Sequence, residues 1–184
     1  MDTLILVITI VVLGIAGLLV FLAGSKRRTM RLRDRFGPEY DRVLARTDDR
    51  KAAEAELQIR ERRHSQLDLR PLDPASAARY QQQWRDAQGR FVDSPSTAIQ
   101  EADALITSVM RDRGYPMDRF EQRTADLSVE HPDVVNEYRA AHRVAMANEH
   151  REASTEDLRG AMIHYRSLFE RLIDRGEHAR EASR

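Results

Sequence analysis

The hydrophobic pattern divides the chain into one unbroken apolar run and a longer polar part with periodic apolar positions. The run is Leu4 to Ala23, LILVITIVVLGIAGLLVFLA, twenty residues without a charge and with Thr9 as its polar side chain. A helix rises about 1.5 Å per residue, so this length matches the roughly 30 Å hydrocarbon core of a bilayer. The pattern predicts a membrane-spanning helix over residues 1–25, anchored by Leu4, Ile5, Val11, Leu13, Leu18, Phe21 and Leu22. A basic collar, residues 26–36, follows with Lys26, Arg27, Arg28, Arg31, Arg33 and Arg35.

Beyond Gly37-Pro38 the apolar positions thin to Tyr40, Val43, Leu44, Leu57 and Ile59, among Ala, Glu, Arg and Gln, and they keep no seven-residue repeat. Residues 37–70 therefore read as a charged helical stalk or weak coiled coil, with weak homo-oligomerisation through it an option. Arg70-Pro71-Leu72-Asp73-Pro74 ends that stretch and starts a helix, with Asp73 as cap and Pro74 in the first turn. Ala77, Tyr80, Trp84, Ala87 and Phe91 form its apolar stripe, at alternating spacings of three and four. A second helix after Asp93-Ser94-Pro95 carries Ala98, Ala102, Leu105 and Val109, widened by Ile99, Ile106 and Met110, and Gly114 ends it.

A short helix near 118–129 offers Phe120, Ala125 and Leu127, and the next, after His131-Pro132, offers Val134, Tyr138, Ala141 and Ala145. Ser154 caps the last helix, with Asp157 standing where a capping box has Glu or Gln. Its stripe is the strongest: Leu158, Ala161, Met162, Tyr165, Leu168, Phe169, Leu172 and Ile173. Residues 174–184 read as a frayed charged tail. The expected fold is all-α: a transmembrane helix, a charged stalk, and a compact bundle of four to five short helices over 71–173.

Charge sharpens the topology. Residues 25–36 hold six Lys/Arg and one Asp, a net +5, which leaves −5 for the rest of a formally neutral chain. Basic residues mark the cytoplasmic side, so the expectation is an N-terminus outside and a cytoplasmic C-terminal domain. The collar would set topology and attract anionic lipid. A cleaved signal peptide fits less well, because Asp2 is the sole charge before the run and no small residue stands at the −3 position. Leu22-Ala23-Gly24 approaches a lipobox, but Ser25 follows instead of Cys. The run lacks a small-xxx-small pair, so no dimerising span is expected. A collar without interleaved aromatics argues against nucleic acid.

The chain has no cysteine, which excludes disulfides, thiolate metal sites and a thiol nucleophile. Its eight glycines form no phosphate-binding loop, and neither HExxH nor GxSxG occurs. Glu61-Arg62-Arg63-His64 matches the Glu-x-x-His of di-iron bundles, but no second copy exists, and a solvated helix face is the plainer reading. His142 and His164 lie beside apolar stripes near Tyr138 and Tyr165, where acid–base work is conceivable but half-buried structural roles are commoner. No catalytic, cofactor-binding or metal-binding residue is assigned, no cofactor is expected, and the chain reads as a non-enzyme.

Arg35-Phe36-Gly37-Pro38-Glu39-Tyr40, Arg90-Phe91-Val92-Asp93, Arg113-Gly114-Tyr115-Pro116, Phe120-Glu121 with Ala125-Asp126-Leu127-Ser128, and Ser154-Thr155-Glu156-Asp157-Leu158-Arg159 together resemble an uncharacterised family. It comprises small bacterial, mainly actinobacterial, membrane-anchored or "secreted" helical proteins. The resemblance implies an architecture and a bacterial source and transfers no catalytic residue. The expected partners are the lipid bilayer and an unidentified protein, with the bundle serving as a scaffold or regulator at the membrane face. The alternatives are a membrane-tethered enzyme using a His/Tyr/carboxylate site in the bundle, or an exported helical domain. A buried polar pocket joining His142 or His164 to an acidic residue would favour the enzyme, and a dry core would not.

Overall fold

The computed structural model describes residues 26–181, with side chains described to Asp174. Eight helices are present among them: α1 (residues 26–36), α2 (Pro38–Thr47), α3 (Arg50–His64), α4 (Pro74–Arg90), α5 (Pro95–Asp112), α6 (Phe120–Glu130), α7 (Val135–Glu149) and α8 (Thr155–Glu181). They form two compact units, one ending at Leu57 and the other beginning at Gln58.

The first unit corrects the reading of a basic collar followed by a solvated stalk. Leu32 and Phe36 of α1, Tyr40 and Val43 of α2, and Ala53 and Leu57 of α3 are all buried. Each of these helices thus contributes apolar positions at helical spacing, three or four residues apart, to the interior of the unit. Gly37 turns the chain between α1 and α2 with φ +46°, a left-handed conformation that suits a residue without a Cβ. Pro38 then supplies the first turn of α2. The buried Glu54 carboxylate accepts from the Thr29 hydroxyl (2.6 Å) and the Tyr40 hydroxyl (3.2 Å), with Arg28 3.6 Å away. Arg33 lies over the Tyr40 ring at 5.1 Å. Part of the positive collar is thus occupied with α2 and α3.

The second unit is a bundle around one core. α5 packs against α4, α7 and α8, while α7 packs on α8 and α6. All seven apolar positions predicted for α5 and all eight predicted for α8 are buried. Trp84 of α4 stacks on Phe169 of α8 with ring centroids 4.9 Å apart. The caps follow the sequence signals: Asp73 accepts from the Ser76 amide at 2.9 Å, and Ser154 with Asp157 makes a reciprocal box, amide to carboxylate at 3.0 Å and amide to hydroxyl at 3.2 Å. The last helix continues to Glu181.

The end of α3 is also built into this unit. Arg63 binds the fully buried Asp126 of α6 through Nε (2.9 Å) and a terminal nitrogen (2.5 Å), and Arg60 donates to Ser128 at 3.2 Å. A charged stretch that looks solvated in sequence is here matched by polar groups on a neighbouring helix, which offsets their desolvation. The bundle of four to five helices following a stalk is therefore replaced by eight helices, with weak oligomerisation through an exposed stalk losing its basis.

The predicted anchor, with Leu4, Ile5, Val11, Leu13, Leu18, Phe21 and Leu22, lies outside the described residues. Among the described residues no helix is long and apolar enough to cross a membrane. The single-pass topology, its orientation and the bilayer as a partner are accordingly unsupported, and the scaffold-at-the-membrane reading that depended on them is withdrawn.

Candidate functional site

The histidines singled out in the sequence have different fates. His164 of α8 sits 3.8 Å from Glu137 of α7, both half-buried. His64 turns toward Glu130 at 3.8 Å, away from any arrangement a Glu-x-x-His site would need. Among the described residues no group of three or more His, Asp or Glu is placed to hold a metal ion. All six basic residues of α1 are exposed, and among them Arg28 reaches Glu54 at 3.6 Å and Arg33 stands 4.0 Å from Asp41.

His142 is the exception. Its Nδ1 lies 3.1 Å from Asp103 Oδ1, and the Tyr165 hydroxyl donates to that same oxygen over 2.6 Å. Three helices deliver these groups: α5 brings Asp103, α7 His142, and α8 Tyr165. Each sits next to an apolar stripe, so core packing fixes the backbone from which the polar side chain projects. Phe120 of α6 stacks on the imidazole at 3.9 Å between centroids, nearly parallel. Tyr138, one turn before His142, meets Tyr165 edge-on at 6.3 Å. The guanidinium of Arg123 lies 5.8 Å from the Phe120 ring centre.

Electrostatics assign a role to each group. Burial pushes the Asp103 carboxyl upward, but the hydrogen bonds from His142 and Tyr165, with the charges of His142 and Arg123, outweigh it and hold it below the usual carboxylate range. Burial first, then the Asp103 charge and hydrogen bond, drive the Tyr165 hydroxyl far above the ordinary phenol value. Tyr165 thus stays a proton donor to a permanent carboxylate. Burial likewise pushes Tyr138 up to about 12, against the opposing charge of Arg123. A fixed anion and two fixed phenols thus surround the remaining ionisable side chain of the cluster, the His142 imidazole.

An ionised Asp103 can only accept, so His142 Nδ1 carries the hydrogen of this contact and a neutral ring keeps its lone pair on Nε2. The His142 side chain keeps 18% of its exposure and Asp103 26%, so the pair lies at an accessible edge of the bundle. Asp103 and Arg123 were not singled out in the sequence, and Phe120 was read only as an apolar contact of its helix. Asp103 carried a usable signal, since it falls among Ile99, Ile106 and Met110 at helical spacing, an acid on an otherwise apolar face.

No known family, curated protein or solved structure matches the chain, and the resemblance to a family of bacterial membrane-anchored or secreted proteins is withdrawn.

Proposed function

We propose that the bundle is the scaffold of an acid–base site in which His142 exchanges the proton. Asp103 orients the imidazole and stabilises its charged form, Tyr165 holds Asp103 in place, and Phe120 fixes the plane of the ring. The reading is carried by one observation: a single buried-edge carboxylate oxygen receives both His142 and Tyr165. It replaces the expectation of a non-enzyme, which rested on short motifs. A site assembled from α5, α7 and α8 has no such motif, because its members lie 39 and 62 residues apart.

The reaction class is general base or acid assistance to attack by water or a hydroxyl, with Nε2 taking the proton and later returning it. Hydrolysis of a panel of chromogenic carboxylic and phosphoric esters by the full chain tests this. His142→Gln should lower the fastest of these rates by about 10²-fold, the lower end for a positioned acid–base group. Equal rates for the original and His142→Gln proteins, both folded by circular dichroism, would overturn the proposal.

A further inference from the structure

Arg123 of α6 is the charge of the His142 cluster that the acid–base scheme leaves unused. Its guanidinium stands 5.8 Å from the centre of the Phe120 ring, and the other contact of that ring is the His142 imidazole, stacked at 3.9 Å. The positive charge is felt at Asp103 and at the Tyr138 hydroxyl. Yet no carboxylate closes on it. Among the described residues Arg123 makes no ion pair, its Nε–H is buried without an acceptor, and its contact with the Tyr138 hydroxyl is loose.

Other arginines set into the bundle are answered by the protein itself. Arg63 grips Asp126 through Nε and a terminal nitrogen, Arg60 donates to Ser128, and Arg113 donates to the Leu172 carbonyl. A guanidinium offers five N–H groups in a planar fork matched to two oxygens of one oxyanion. The face of Phe120 attracts the charge but accepts little of that directional capacity. Asp103 does not compete for the fork, because one of its oxygens already receives both His142 and Tyr165.

We propose that Arg123 is the anion-binding residue of the His142 site, and that the substrate carries an oxyanionic group, phosphate or carboxylate, which the Arg123 fork holds. This rests on the acid–base reading of His142 and adds to it the class of molecule that the imidazole meets. Arg123, Phe120 and His142 are all half-buried, so a bound oxyanion is partly shielded from water, where a charge-assisted hydrogen bond is stronger than on an open surface. Phe120 then spaces the two functions, with the anion held beside one side of an aromatic ring and the imidazole stacked on it.

Titration of the full chain with inorganic phosphate, and separately with acetate, at constant ionic strength tests the site. Nuclear magnetic resonance follows the Arg123 Nε–H and the His142 Cε1–H. The expected result is a saturable shift of both signals with at least one anion, and the anion that binds separates phosphate from carboxylate as the recognised group. Arg123→Gln should weaken that binding by about tenfold or more. Arg166→Gln, which alters an exposed arginine paired with Glu170, should leave it unchanged. Absence of a saturable Arg123 shift with both anions in the original protein overturns the proposal without need of any variant. So does a shift at Arg123 with none at His142, or equal affinity in a folded Arg123→Gln protein. None of these readouts needs turnover. Saturable binding beside ester rates indifferent to His142 would sink the acid–base reading alone, and His142-dependent rates without anion binding would sink this one alone.

Discussion

Tyr165 and Tyr138 pack edge-on with ring centres 6.3 Å apart, yet one hydroxyl donates to a carboxylate and the other, fully buried, has no well-formed hydrogen bond among the described residues. Removing the two hydroxyls should therefore have unequal consequences. Tyr165→Phe strips a charge-assisted donor from Asp103 and is expected to cost about 1.5–3 kcal/mol, whereas Tyr138→Phe removes only a loose contact with the Arg123 guanidinium and should cost less than about 1 kcal/mol. Urea unfolding of the two variants measures the contrast.

Asp103 makes the bundle acid-sensitive in a definite window. Its carboxyl is held below the usual range, so the folded state binds that proton less tightly than the unfolded chain. The resulting stability is fully present above the ordinary aspartate value of about 3.9 and fades as pH falls through the lower folded value. In Asp103→Asn this part of the acid slope should vanish, which thermal melts of both proteins between about pH 6 and about pH 2.5 measure.

Gly114 follows α5 with φ +91°, and a Cβ placed on it would lie 2.4 Å from the backbone carbonyl oxygen of Asp68. Both the left-handed backbone and the close approach demand glycine. Gly114→Ala should destabilise the second unit by more than about 1 kcal/mol, and the strain should be seen as lost exchange protection at Arg70, whose amide donates to the Arg113 carbonyl at 3.0 Å.

Phe36 tests whether residues 26–57 are folded or solvated. Its side chain is fully buried, as are those of Leu32, Tyr40 and Leu57 in the same unit. Phe36→Ala should cost that unit about 3–5 kcal/mol and abolish its amide protection, whereas a solvated stalk would be indifferent to the change.

The parts of the fold visible in sequence are those held by apolar stripes. α5 and α8 announce themselves because every turn places Leu, Ile, Val, Met or Phe on one side. α6 does not: Thr124, Asp126 and Ser128 are buried on it, and α3 meets it with Arg60, Arg63 and His64. Hydrophobic periodicity cannot register a helix whose buried neighbours are paired charges, since each partner looks solvent-facing until the other is beside it. The first unit was hidden differently. Leu32 and Phe36 fell within a stretch dominated by arginines, and Gly37 separated them from Tyr40 and Val43, so three short stripes never summed into one signal. His142 was legible as a candidate, but its orienting acid belonged to another helix, a relationship no local pattern encodes.

The stacked Trp84 and Phe169 give this molecule an internal reporter. The chain holds one tryptophan, and its indole rests on the final helix. Indole emission therefore follows the docking of α4 on α8, so an unfolding step that changes far-ultraviolet ellipticity while leaving that emission untouched spares this helix pair.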